Sequence, residues 1–457
     1  MNDRQRVLLF FFLASGIRLY FNFGQELIPG VNGGYYPVQV RAMLESGSLA
    51  FPDMPLLFRL NAVMVSFLSL FGFPVSDALI LAVVKVTDSV SLPLLLFPTG
   101  RLLRAGSVVP LLRTAIMAFS VLSFSPLVLV SDLQKNALAV VFLAVFLAYL
   151  PAYSGGAKKR DMILSIAFLA LAGLTHFGTF AFGLFFLLLY LLFAYRRRAV
   201  VPALALMAAG SALVAFYDPT RFGRMVSWWN VVFDKPALLN GMVSPPDIFV
   251  ILLSLAMAAT GIIILQRGSI RADRRAGAVV FAAVVSLLTC SFPFLDGEYF
   301  ARLSLFLFLP QVLVLSRLPE VAGVKGQNRA AYLLLGLTAL SALTVAGRPK
   351  QPVISHAAWE DLPKMRTSIP GNRETLVIAR HGLEWWAAWA LHTKVGQDKS
   401  IDRTISTSNR EVFFLNQTGG FGDSGQRTPF HEPAPPAGAA VVFASAYFKL
   451  YRLPKGP

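Results

Sequence analysis

Residues 29–58 read PGVNGGYYPVQVRAMLESGSLAFPDMPLLF. They follow a first apolar run at 7–25 and precede nearly all of the remaining hydrophobic sequence. From Tyr35 onward the apolar side chains Tyr36, Val40, Met43 and Leu44 recur at helical spacing, with Gln39, Arg41 and Glu45 interleaved. That pattern predicts a short amphipathic helix over 35–44, lying along a membrane surface. After Gly47, the sequence Pro52-Asp53-Met54-Pro55 carries an acidic residue to the point where the chain re-enters lipid. A carboxylate there costs energy unless it has a partner or a task.

The rest of the chain supports a membrane setting. Of its 457 residues 56% are hydrophobic and 14% charged, and the mean hydropathy is +0.62; soluble domains carry about 25% charged residues. The net charge of +17 would suggest nucleic acid only if the basic residues gathered on a soluble surface. They fall instead in short clusters between apolar runs, as the positive-inside rule expects, so nucleic acid is excluded as a partner and membrane lipids are included. The single cysteine, Cys290, sits in an apolar run, which leaves no intrachain disulfide and no cysteine-based metal site. The first apolar run is too long for a removable leader and is read as a retained helix.

Runs long enough to span fall near 7–25, 77–98, 107–130, 133–152, 161–175, 177–195, 199–216, 247–266, 277–294, 303–317 and 329–346. With about eleven spans, the clusters at Arg4/Arg6, Arg101/Arg104, 158–160, 196–198, 267–275 and 317–329 all face the cytoplasm. A further run, 56–73, would reverse every later cluster if it crossed, so it is expected to re-enter or lie in the interface. The expected fold is therefore an all-α polytopic bundle over 1–347, with a first outer loop at 26–57. A small α/β extracytoplasmic domain over 348–457 completes it, with strands at 375–379, 411–415, 440–444 and 447–453 and a helix over 383–391. The chain reads as a multi-pass plasma (inner) membrane protein with its N-terminus cytoplasmic.

This topology collects polar groups on the outer face: Glu26, Asn32 and Asp53, the hairpin 131–136 with Asp132 and Lys135, and Thr175-His176. Arg221, Arg224, Trp228, Trp229, Glu298 and Arg302 join them. The inner face offers mostly Lys and Arg, so any chemistry belongs outside. No Walker A, GxGxxG, HExxH or CxxC motif is present, which argues against an ATP-driven pump and a zinc protease.

The order of a membrane helix, an outer loop with a surface helix and an acidic residue, and a Pro-Leu-Leu re-entry resembles the GT-C superfamily of membrane glycosyltransferases. The resemblance covers roughly residues 1–320. It implies transfer of a sugar from a polyprenyl-phosphate carrier to an acceptor at the outer face. First-loop carboxylates would then activate the acceptor or bind a metal, and basic residues would hold the carrier phosphate. Gly33-Gly34-Tyr35-Tyr36 with 41–47 looks like the family's paired aromatics and short helix, but Asn32-Gly33-Gly34 stands where many members have an acidic residue. On this resemblance Asp53, Asp132 and His176 are the candidate catalytic groups. Arg302, Glu298, Arg221, Arg224, Tyr35, Tyr36 and Lys135 are the candidates for binding substrate or phosphate. A divalent cation, magnesium or manganese, is allowed and not required.

Each residue also has a plainer role: Asp53 or Asp132 as a helix cap, Lys135 as a neutraliser of Asp132, His176 as an interfacial histidine, Arg302 as the partner of Glu298. Arg18, costly inside the first helix, invites pairing with Asp88. Two other functions fit the composition: a transporter or flippase for a lipid-linked solute, which would use Arg18, Lys85 and Asp88, and a non-catalytic cell-envelope assembly protein, which Asn32 would suit.

Overall fold

The computed structural model describes residues 2–104, 106–150, 159–195, 200–217, 219–227, 231–267, 273–347, 349–370, 375–397, 411–424 and 434–454. A helix lies on each of the expected apolar runs. Among the described residues seven helices are long and apolar enough to cross a membrane: Asp3–Phe23, Asp77–Arg104, Pro110–Val128, Phe177–Tyr195, Pro245–Arg267, Gly297–Glu320 and Val324–Ala346. Among the described residues the expected eleven spans are thus not all confirmed. Gln134–Ala148, with 15 residues, is shorter than a span usually requires, because Tyr149 ends it. Leu56–Ser69, on the run expected not to cross, has 14 residues, about 21 Å at 1.5 Å per residue and short of a ~30 Å hydrocarbon core.

The chain divides into two compact units. The first, Met1–Arg18, Pro52–Leu57 and Asp88–Arg348, is the helical bundle. Gln134–Ala148 is apolar on every side and buried over nearly its whole length, as a helix at the centre of a bundle must be. It packs against Lys159–Thr175, while Pro245–Arg267 and Phe177–Tyr195 both pack against Arg274–Cys290. Small residues permit the close approach: a Cβ on Gly261 would lie 2.4 Å from Val284 Cγ2.

The second unit is Leu19–Phe51, Phe58–Thr87 and Pro349–Pro457. Its sheet has the order β2-β1-β3-β5-β4, with β1 Thr375–Ala379, β2 Lys394–Gln397, β3 Glu411–Gln417, β4 Ala440–Ala444 and β5 Phe448–Arg452. β1 is parallel to both β2 and β3, and β5 is antiparallel to both β3 and β4. Helix Leu383–Leu391 connects β1 to β2. The first-loop helix, Tyr35–Ser46, belongs to this unit and packs on Leu383–Leu391. Gly30 N donates to Gln351 O at 2.9 Å, tying the loop to the start of the C-terminal segment.

Candidate functional site

A chain of buried charges runs through the first unit. Arg18, Asp88, Ser131, Asp132, Lys135 and Asp53 are all buried. Arg18 Nη2 lies 3.0 Å from Asp88 Oδ1, and the same guanidinium donates to the carbonyls of Asp88, Pro126 and Leu129. The Pro126 and Leu129 carbonyls are open to it because helix Phe124–Val128 is one short turn whose last acceptors have no helical partner. Asp88 Oδ2 accepts from Ser131 N at 2.9 Å. Ser131 has φ 70°, a left-handed conformation that costs a side-chain-bearing residue about 1–3 kcal/mol and is held only where its surroundings demand it.

Past this turn the hairpin opens into Gln134–Ala148, so that Asp132 and Lys135 flank the start of a buried helix. The N-cap position falls on Leu133, not on Asp132, because the backbone turns one residue later than the acidic side chain would need. Lys135 forms its ion pair with Asp53, whose second oxygen accepts from Met54 N at 2.7 Å. The lysine expected to neutralise Asp132 thus reaches a carboxylate far away in sequence. It brings Asp53 and Asp132 to the same end of the central helix. Gln134, between them, is buried with neither amide atom hydrogen-bonded. Three carboxylates and two cations are withdrawn from water here, an arrangement whose disruption on one side costs about 3–5 kcal/mol.

No protein-family model matches the chain, and no curated protein matches it in sequence. Among solved structures, ArnT from Cupriavidus metallidurans, crystallised with undecaprenyl phosphate, matches with a TM-score of 0.53 over 98% of this chain and 97% of its own, at 12% identity. The chain shares the fold of that structure. The arabinofuranosyltransferase AftD from mycobacteria matches with a TM-score of 0.50 at 13% identity, covering 99% of this chain and 40% of AftD. That fold and the seven long apolar helices are those of a multi-pass membrane protein.

The other expected site residues fall on several further elements. His176 stands at the joint of Lys159–Thr175 and Phe177–Tyr195, where Nδ1 accepts from Thr179 N at 3.2 Å and caps the second helix. Arg302 pairs with Glu298 one turn earlier on a helix capped by Asp296, and both side chains are 68% exposed, a setting in which such a pair is worth about 0.3–0.5 kcal/mol. Arg221 and Arg224 fall on Pro219–Val226, but their side chains, like Trp228 and Trp229, lie outside the described residues.

Tyr35 and Tyr36 belong to the second unit. Tyr35 meets Trp385 at 4.9 Å and Phe58 at 5.7 Å, and Tyr36 is buried beside it. The departure at Asn32-Gly33-Gly34 has a steric reason in the same unit. A Cβ on Gly33 would lie 2.0 Å from Ile28 O, and one on Gly34 2.9 Å from Trp386 Cδ2, so no acidic side chain fits at either position.

Arg41, unremarkable in sequence beyond its place on the helix, is buried. It donates to Trp389 O at 3.0 Å and Ala388 O at 2.8 Å and stacks 4.3 Å from the Trp389 ring. Burial lowers its pKa, while Asp77 and Glu45 oppose the shift. His392, with Nε2 3.2 Å from Arg41 Nη1, is held below the usual imidazole value by burial and then by the Arg41 and Arg366 charges.

Proposed function

We propose that this protein transfers a sugar from a polyprenyl-phosphate carrier to a hydroxyl acceptor on the outer face of the membrane, with inversion at the anomeric carbon. The observation that carries this reading is the buried Asp53–Lys135 pair beside Asp132 in a GT-C bundle. In the resting protein Lys135 neutralises Asp53. An arriving carrier phosphate competes for the ammonium, and Asp53 is released to act as a base. Asp53 then takes the acceptor hydroxyl proton as the oxygen attacks the anomeric carbon. The bond from that carbon to the phosphate oxygen breaks, and Lys135 stabilises the added negative charge on the leaving polyprenyl phosphate. Asp132 orients the acceptor, and Arg302 with Glu298 serves as an outer contact.

Among the described residues no group of three or more His, Cys, Asp or Glu side chains is placed to hold a metal ion. Charge neutralisation is assigned to Lys135 because of its ion pair with Asp53. The transporter reading would need its mid-membrane charges facing a path. Arg18 and Asp88 are instead spent on each other, and Lys85 Nζ donates to the Gln25 and Glu26 carbonyls at 2.7 Å.

The test is transfer of radiolabel from a polyprenyl-phosphate sugar by purified protein, comparing wild type with Asp53→Asn and Asp132→Asn. Loss of general-base catalysis lowers the rate of Asp53→Asn about 10²- to 10⁴-fold. Equal transfer by all three proteins would reject the assignment.

A further inference from the structure

The parallel part of the sheet ends in a second polar cluster, entirely within the second unit. The chain leaves β1 through Leu383–Leu391 to β2 on one side, while β3 lies on the other. The carboxyl end of β1 is thus a point where connections diverge, the position at which open α/β sheets bind their ligands. Arg380 and His381 follow β1 directly, Glu384 lies in the next helical turn, and Gln397 and Gln417 end β2 and β3. Arg380 Nη2 donates to Gln417 Oε1 at 2.6 Å and joins two strand ends.

Glu384 is at the centre and only 1% exposed. Its Oε1 is 2.9 Å from His381 Nδ1 and accepts from Gln397 Nε2 at 3.0 Å, but Oε2, equally buried, has no hydrogen-bond partner. A carboxylate oxygen withdrawn from water without a donor is costly, and native proteins keep such groups for a reason beyond packing. The adjacent Trp385 repeats the pattern: its Nε1 is buried and unpartnered. The indole ring meets Tyr35 and Phe51 at 4.9 Å each, and His381 at 6.4 Å. The His381 side chain, 43% exposed, keeps the cluster in reach of solvent.

We infer that this cluster, within the second unit, binds a neutral saccharide. Glu384 Oε2 accepts only, and the Trp385 indole donates only, so together they match a hydroxyl that gives a proton and a neighbouring oxygen that receives one. His381, with Nδ1 2.9 Å from Glu384 Oε1, adds a second polar ring nitrogen to the cluster. Aromatic rings beside these groups suit the apolar face of a sugar ring. The buried carboxylate disfavours an anion, and Arg380 with the indole N–H disfavours a cation.

Saturation-transfer NMR on the full chain in lipid nanodiscs, with mannotriose, galactotriose and arabinotriose as probes, tests this. At least one trisaccharide binds saturably, and Glu384→Gln weakens it tenfold or more. Trp385→Phe, which removes a donor with no internal partner, also weakens binding tenfold while leaving the thermal unfolding midpoint nearly unchanged. That variant separates ligand loss from misfolding. Asp53→Asn leaves binding at the wild-type level, so saccharide binding without transfer upholds this site and rejects only the catalytic reading. Absence of binding by all three probes, or equal binding by wild type and both sheet-domain variants, overturns the inference.

Discussion

Lys135 and Arg41 are both buried cations, and what neutralises each of them differs. Lys135 is held by the Asp53 carboxylate, beside a second carboxylate and an unpartnered amide. Arg41 is held by two backbone carbonyls at the end of Leu383–Leu391 and by an indole face, with Asp77 at 3.9 Å as a weaker, more exposed contact. Carbonyls fixed in a helix end cannot be exchanged for a ligand without undoing the helix packing. A side-chain carboxylate can be exchanged for a phosphate, since both are anions. The first arrangement is therefore suited to turnover and the second to holding the first-loop helix on its neighbour.

Substitutions that separate stability from activity can break this contrast. Lys135→Met leaves Asp53 charged and buried, and destabilises the protein by about 3–5 kcal/mol. Adding Asp53→Asn removes the orphaned charge and restores most of that loss in thermal unfolding. Sugar transfer stays absent in the double variant. Recovery of both together would show the pair to be structural, like Arg41. At the other cation, Arg41→Met costs roughly 1–3 kcal/mol, the value of lost hydrogen bonds from a charged donor. Hydrogen exchange over Leu383–Leu391 rises in that variant, while turnover per folded molecule is unchanged.

The sequence carried one of these regions much further than the other. Helix 35–44 was legible from its spacing and is observed as Tyr35–Ser46. The pairing of Arg18 with Asp88 was legible too, because two opposite charges in apolar runs have few other ways to be satisfied. Four of the five strands fell on expected runs; β2, KVGQ, is a four-residue edge strand with a glycine and no apolar alternation, so it left no signal. Asp53 was identified as costly, but its partner was not, since nothing local relates residues 82 apart in sequence. The partner of Arg302 was legible, because Glu298 lies one helical turn earlier. The buried state of Arg41 depends on Trp389, in a segment more than three hundred residues later, which helical periodicity cannot report.

Gly34 sharpens the contrast on the structural side. Gly34→Ala drives a methyl group to 2.9 Å from Trp386 Cδ2, and overpacking of this kind costs about 1–3 kcal/mol. The shift in unfolding midpoint should match that of Arg41→Met in sign, and the double variant should lose less than the sum, since both act on one helix contact.

The smallest expected effect is the pH response of His392, and its sign follows from the Arg41 contact. Arg41 Nη1 donates toward Nε2, which requires a neutral imidazole nitrogen, and burial together with Arg41 and Arg366 lowers the folded pKa below the ordinary 6.5. Above that value both folded and unfolded chains carry neutral His392, and the residue adds no pH dependence. As pH falls through 6.5 the unfolded chain takes up a proton that the folded chain still refuses, so stability declines until the folded pKa is reached. Because His392 keeps contact with solvent, the loss is below about 1 kcal/mol. His392→Asn retains a residue that tolerates the left-handed backbone, φ 53°, and removes the titration. Hydrogen exchange over Leu383–Leu391, followed from pH 7.5 to 5.5, should therefore rise on acidification in the wild type and less in the variant. An equal rise in both would place the acid sensitivity elsewhere and leave Arg41 indifferent to its histidine neighbour.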